Sequence, residues 1–114
     1  MAFHVEAPTG RATLEALLAL VARLDAVAAV DPEAGILLDQ TQFEYAGIGT
    51  DEVRTVGEAW QATAHASRAR VAVVAPDSTV FGLSRQGVAY AEAESTIRVF
   101  RTRDEAEGWL GGGS

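Results

Sequence analysis

Hydrophobic and polar residues follow two patterns along the chain, one with the period of a helix and the other typical of strands. The helical period is clearest in five residues on one predicted face: Leu14, Leu17, Leu18, Val21 and Leu24. Their spacing predicts a first helix that Thr13 caps and Asp31-Pro32 ends, because proline cannot continue a helix. A second helix is predicted from Thr50, as its cap, and a third from Pro76-Asp77-Ser78 to about Ala93.

Strands are predicted where apolar residues alternate with polar ones or form short runs between turn residues. Phe3–Ala7 and Thr96–Phe100 alternate, which is typical of half-buried strands, and the second is placed nearer an edge. Ile36–Asp39 and Val71–Ala75 are apolar runs, so these two are predicted to be central strands covered on both faces. Gln40–Gly49 is predicted to be a loop.

The remaining segments complete the order of elements. Thr102-Arg103-Asp104-Glu105 matches a capping box, which predicts a last helix. The order βαβαβαβα predicts an α/β fold with a mostly parallel four-stranded sheet packed with helices. Residues 1–110 are predicted to form one domain, and residues 111–114, of glycine and serine, a flexible tail. Gly57, in the middle of the second helix, predicts a close backbone approach, since glycine there costs about 1 kcal/mol relative to alanine.

Composition and charge narrow the class of protein. The chain of 114 residues has a net charge of −7, its nine basic residues are all arginine, and it contains no cysteine. An acidic surface repels nucleic acids and anionic membranes, so neither is an expected partner. No apolar run reaches the roughly 18 residues of a membrane span, and the first residues do not resemble a signal peptide. A cytoplasmic location is therefore expected.

Polar residues are predicted to meet at the carboxyl ends of the parallel strands, where ligands bind in open α/β sheets. The candidates are Asp39, Asp77, Ser78 and Arg101, with Arg85 one helical turn away. Two interpretations remain open. The residues form a ligand-binding site, or Asp77 and Ser78 are helix caps and the arginines are solvated.

Complete catalytic, metal-binding and cofactor-binding motifs are missing from the sequence. Asp39 resembles an aspartyl nucleophile in position, but it lacks the second acid and the lysine that such sites need. Gly47-Ile48-Gly49 begins a dinucleotide-binding pattern, but Glu52 occupies the place of the third glycine and would repel a pyrophosphate. His4 and His65 stand alone. The sequence therefore predicts a non-enzymatic protein without a metal or cofactor.

The order and spacing of several stretches resemble the SpoIIAA-like branch of the STAS and CRAL-TRIO group. The stretches are Ile36–Asp39, Val71–Asp77, Val80–Arg85, and Ile97–Arg101 followed by Glu105-Ala106 and Trp109-Leu110. They span Gly35–Leu110, about two thirds of the chain. The resemblance implies a STAS-type fold. Members usually begin with two antiparallel strands, of which only Phe3–Ala7 is evident here, so pairing of an open edge in a homodimer is expected.

The resemblance implies two kinds of function. The STAS side implies a regulatory domain that binds a protein partner and is switched by phosphorylation of a serine before the second helix. The matching stretch Gly47–Thr50 has no serine, so Thr50 is the nearest hydroxyl. The CRAL-TRIO side implies a small apolar or lipid ligand. A shallow pocket is predicted under the third helix, where Gly82 and Gly87 lie beside Phe81, Tyr90 and Trp109, and Phe81 joins the candidate residues.

Overall fold

The computed structural model describes residues 3–112. Six strands, four α-helices and one 3₁₀ helix lie in this range. Their bounds are β1 Phe3–Glu6, β2 Gly10–Ala12, α1 Leu14–Val30, β3 Gly35–Asp39, β4 Phe43–Tyr45, α2 Thr50–Gln61, a 3₁₀ helix Ala66–Arg68, β5 Val71–Val74, α3 Ser78–Tyr90, β6 Ile97–Phe100 and α4 Arg103–Gly112.

The main sheet has four strands, and all its pairings are parallel. Its strand order is β1-β3-β5-β6, so β3 and β5 are central and β6 lies at an edge. Ile36 pairs with Val71 and Asp39 with Val74, which brings the carboxyl ends of both central strands to one level. These observations confirm the mostly parallel sheet and the two central strands predicted from the apolar runs.

Alternate residues of the central strands face two different layers of helices. Ile36 and Leu38 pack into a core with residues of α1, α2 and α3. Leu37 packs on the other side with Ala106 and Leu110 of α4. Because the strand order along the sheet follows the chain, crossovers of one hand place α1, α2 and α3 on the same face. The last helix, α4, covers the opposite face.

A small second sheet lies beside the main one. β2 and β4 pair in parallel, with Ala12 opposite Tyr45. The prediction that Gln40–Gly49 is a loop throughout was therefore wrong. A three-residue strand is too short to show a period in sequence, and its partner lies about thirty residues away. The pair is stabilised by burial, since Ala12 and Phe43 pack on Leu17 of α1.

The helix starts follow the predicted caps with one exception. Thr13 and Thr102 accept hydrogen bonds from N–H groups in the first turns of α1 and α4, at 3.2 and 3.3 Å. Thr50 does not cap α2, as the sequence had predicted, but is its first residue. Gly49 holds the cap position, and its N–H donates to Glu52 Oε1 at 2.7 Å. Gly49 takes the extended cap conformation without a side-chain cap, and the glutamate satisfies its N–H, as in one half of a capping box.

The ends of several elements differ from the prediction by a few residues. α3 ends at Tyr90 rather than near Ala93. α4 continues through Gly112, so Gly111 and Gly112 belong to the helix, whereas Gly113 and Ser114 lie outside the described residues. No helix within residues 3–112 is both long and apolar enough to cross a membrane.

Candidate ligand-binding site

A cavity lies between the main sheet and the three helices on its larger face, and it is partly open to solvent. It is referred to as the interior cavity because buried apolar side chains form most of its wall. Its volume is about 110 Å³. Leucine and valine dominate its wall: Leu17, Leu20, Val21 and Leu24 of α1, Val53 and Val56 of α2, and Leu83 and Val88 of α3. Its floor is formed by the central strands, through Leu38, Val71 and Val73. No Asp, Glu, Arg or His among the described residues lines this cavity.

Two glycines determine how α2 and α3 pack around the cavity. A Cβ atom at Gly57 would lie 2.9 Å from Tyr90 Cβ and 3.0 Å from the backbone nitrogen of Ala91. The close backbone approach predicted for Gly57 is therefore confirmed. A Cβ atom at Gly87 would meet only Val53 Cγ1, at 3.5 Å. Gly87 also lines the cavity, and because glycine has no side chain, part of this space stays open.

Two polar atoms in the cavity wall have no hydrogen-bond partner within the described part of the chain, Trp60 Nε1 and Ser84 Oγ. Trp60 is 5% exposed. Since Gly57 lies against Ala91 and Gly87 against Val53, α2 and α3 run parallel, which puts Trp60 and Ser84 towards opposite ends of the cavity. A buried polar group without a partner costs about 1–3 kcal/mol. A ligand that supplied a partner would recover part of this cost.

Gln40 and Tyr45 lie where the cavity meets a second pocket, and this junction is referred to as the mouth of the cavity. Both side chains line the interior cavity and also an outer cleft of about 520 Å³ at the carboxyl ends of the strands. Tyr45 Oη donates a hydrogen bond to Gln40 Oε1 at 2.6 Å, so the pair separates the two spaces. Burial raises the pKa of the Tyr45 phenol. The phenol is therefore neutral and protonated at neutral pH.

The outer cleft is polar and of mixed charge. It is lined by residues of β2, β4, the β3–β4 and β5–α3 connections and the first turn of α3, among them Arg11, Thr41, Glu44, Asp77 and Thr79. Asp77 caps α3 and accepts hydrogen bonds from the N–H groups of Thr79 and Val80, at 2.9 and 3.1 Å. The amides at the start of α3 are thus already bound by a carboxylate, which makes the cleft a poor anion site.

Four of the residues predicted from the sequence meet on the surface between α3 and β6. Arg101 Nη1 donates to Ser78 Oγ at 3.1 Å, and the Arg101 guanidinium carbon lies 4.2 Å from the centre of the Phe81 ring. The Arg85 guanidinium carbon lies 6.0 Å from the same centre. At exposed positions each such cation–π contact contributes about 0.5–1 kcal/mol. None of these four residues is part of the described lining of the interior cavity.

Asp39 and Thr50 lie apart from that cluster. Asp39 Oδ1 accepts hydrogen bonds from the backbone nitrogen and the hydroxyl of Thr41, at 3.0 and 2.7 Å, and Oδ2 lies 3.8 Å from Arg103 Nη1. These contacts make Asp39 a residue that stabilises the turn after β3. Thr50 is exposed beside two acidic residues in the first turn of α2. Its phosphorylation stays a prediction.

The predicted pocket under α3 has a different lining from the one expected. Gly87 does line the cavity, but a Cβ added at Gly82 would meet only open space. Trp109 packs on Phe100 on the opposite face of the sheet. Trp60, Ser84, Gln40 and Tyr45 were missed as site residues. Trp60 reads as core because it lies at helical spacing among apolar residues, and Gln40 and Tyr45 lie in the segment predicted to be a loop. The only signal that the sequence offers is the polar atom that each of these side chains carries, and the packing alone shows that the atom is internal.

Comparison with known proteins gives no match, whether with family models, with curated proteins or with solved structures. Residues 3–112 also contain no group of three or more His, Cys, Asp or Glu placed to hold a metal ion. The main functional proposal for this chain therefore depends on the geometry of the cavity and its mouth.

Proposed function

We propose that this protein binds a small, uncharged and mainly apolar molecule in the interior cavity and does not change it chemically. The observation that carries this proposal is the cavity of about 110 Å³ whose described lining contains no charged side chain. A charged ligand would lose its hydration there without gaining a counter-charge, which costs far more than apolar contacts return. An apolar ligand loses nothing of this kind and gains the burial of its surface.

The volume sets an upper limit to the ligand. An apolar cavity of about 150 Å³ holds one benzene molecule. The cavity here is somewhat smaller at about 110 Å³, so its ligand is about the size of one six-membered ring with at most a small substituent. Toluene is therefore a suitable probe of the apolar site, since it is uncharged, small and without hydrogen-bonding groups.

The two tryptophans provide a site-specific measurement with an internal control. Trp60 lines the cavity, whereas Trp109 packs on Phe100 under the opposite face of the sheet. In a ¹⁵N–¹H spectrum of the labelled protein, toluene should shift the indole resonance of Trp60 in a saturable way and leave that of Trp109 in place. Native mass spectrometry of the freshly purified protein should show a small adduct if a ligand is retained. Absence of a saturable Trp60 shift would contradict the proposal.

A pair of glycine variants tests whether the cavity is the binding site. Gly87→Leu places a side chain into the cavity, and Gly82→Leu places the same side chain into open space on the same helix. Toluene binding should be lost in the first variant and kept in the second. If Gly87→Leu does not fold, Gly87→Ala gives a smaller filling, and its toluene affinity should fall below that of Gly82→Ala. Equal binding by the two variants would place the ligand elsewhere.

A second proposal, supported by the resemblance to SpoIIAA-like STAS domains, is a protein-binding role as a homodimer. The edge strand β1 favours it, because its Val5 side chain is 43% exposed and open edges readily pair. One feature departs from that family, since β1 and β2 belong to separate sheets within the described chain and do not pair with each other. Light scattering should give a dimer mass that Val5→Glu reduces to the monomer, and a monomeric wild-type protein would contradict this proposal.

A further inference from the structure

Three uncharged polar side chains lie at one end of the interior cavity. Gln40 and Tyr45 form the mouth, and Ser84 lies beside Tyr45 in the cavity wall. Tyr45 Oη donates to Gln40 Oε1, so the lone pairs of the phenol oxygen and the amide N–H groups of Gln40 are not used by that bond. Ser84 Oγ has no partner among residues 3–112. This end of the cavity therefore offers both donors and acceptors.

Resting on the proposed function, we infer that the bound molecule carries one uncharged oxygen, as a hydroxyl or a carbonyl, which lies at Ser84 and the Gln40–Tyr45 pair. Its apolar body then extends into the cavity towards Trp60. The ligand class is a small neutral alcohol, phenol, ketone or aldehyde. A hydrocarbon fills the apolar part equally well but leaves the Ser84 hydroxyl without a partner.

The charge of the site limits this oxygen to an uncharged group. The neutral Tyr45 and Gln40 cannot balance a carboxylate, and no arginine in the described lining reaches into the cavity. An ammonium group meets the same difficulty. Hydroxyl and carbonyl oxygens need only hydrogen bonds, which Ser84 and the Gln40 amide can supply from fixed positions. Gln40 is itself 7% exposed, so water competes little for its hydrogen bonds.

Phenol and toluene test this inference, because they have nearly the same shape and differ in one hydroxyl group. Ser84→Ala removes the recognising hydroxyl, and alanine has the higher helix propensity, so the variant should fold. Ser95→Ala is the matched control, since Ser95 is exposed in the turn after α3. Dissociation constants for both probes are measured from the Trp60 indole resonance in all three proteins, with thermal unfolding as the check on folding. Comparing the ratio of the two constants between variant and wild-type protein cancels the different hydration of the free probes.

The inference predicts that Ser84→Ala reduces the preference for phenol over toluene by about three- to tenfold, as expected for one hydrogen bond. Ser95→Ala should leave the preference unchanged, and benzoate should not compete for the site. If toluene binds and Ser84→Ala leaves the ratio unchanged, the oxygen is not recognised here, although the apolar site stands. If benzoate competes as well as phenol, the restriction to uncharged groups is wrong. If neither toluene nor phenol binds, the proposed function and this inference both fall.

Discussion

Replacement of Gly57 by alanine tests how closely α2 and α3 pack. Gly57 lies in the middle of α2, and an added methyl group would lie 2.9 Å from Tyr90 Cβ and 3.0 Å from Ala91 N. Carbon atoms in favourable contact are about 3.5–4.0 Å apart. The neighbouring atoms belong to the backbone or lie next to it, so no flexible side chain can move away. The two helices must separate to accept the methyl group.

The expected magnitude follows from two opposing effects. Alanine is favoured over glycine in a helix by about 1 kcal/mol. Forcing an extra methyl group into a closely packed contact typically costs about 1–3 kcal/mol. Gly57→Ala should therefore lower the free energy of unfolding by about 1 kcal/mol. Gly82→Ala is the matched control, since nothing in the described structure lies within 4 Å of an added Cβ there. It should raise the free energy of unfolding by about 1 kcal/mol.

Urea unfolding followed by far-UV circular dichroism measures both variants against the wild-type protein. The helix-propensity gain is common to the two variants, so their difference isolates the packing cost between α2 and α3. We expect this difference to be about 2 kcal/mol, with unchanged denaturant slopes. If Gly57→Ala proves as stable as Gly82→Ala, the close approach of the two helices is wrong. The parallel alignment that places Trp60 and Ser84 at opposite ends of the cavity would then lose its basis.

Three further predictions concern contacts outside the cavity. Asp77→Ala removes the cap of α3 and should lower the free energy of unfolding by about 1 kcal/mol in urea; Asp77→Asn should lose less. Arg70 lies 4.1 Å above the Trp109 ring and donates to its carbonyl oxygen at 2.9 Å, so Arg70→Ala should cost about 1–2 kcal/mol in the same assay. Hydrogen bonds from the N–H of Ala66 and its neighbour lower the pKa of Asp25 below its usual 3.8. The ionised Asp25 therefore stabilises the fold fully above that pH, and this stabilisation disappears as the pH falls through the lower pKa of the folded protein. The free energies of unfolding of Asp25→Ala and of the wild-type protein should accordingly converge in acid. A difference between them that does not depend on pH would contradict this prediction.

Local signals account for the parts of the fold that were predicted correctly. The apolar runs of β3 and β5 predict central strands by themselves, because a strand that is apolar throughout must be covered on both faces. The cap residues Thr13 and Asp77 act within one turn of their own helix. Gly57 likewise predicted a close contact between helices, because a glycine in the middle of a helix is unfavourable without a compensating contact. The errors have two different causes. β4 is a strand because β2, a distant segment of the chain, lies beside it. Gly49 rather than Thr50 caps α2, and its N–H is bound by Glu52 three residues later, so here the preference of threonine for caps was misleading.

The candidate site shows the same division. Ser78, Arg85 and Arg101 were expected to lie near one another from the topology of a parallel sheet, and the structure does bring them together on its surface, around Phe81. A sequence can place residues at the end of a strand or on one face of a helix, since those positions depend on short-range periods. It cannot state whether their polar atoms are already used by neighbours, as those of Asp39 and Asp77 are.

The sequence by itself therefore determined the alternation of strands and helices, the two central strands, most helix starts and the uncharged character of the residues that face the sheet. Only the tertiary structure decided that the packing of α1, α2 and α3 leaves about 110 Å³ unfilled and that Trp60 and Ser84 lie in its wall. The physical reason is that a cavity is what remains after packing. Its volume depends on how closely the helices approach, as at Gly57 and Gly87, and no local pattern of residues records that distance.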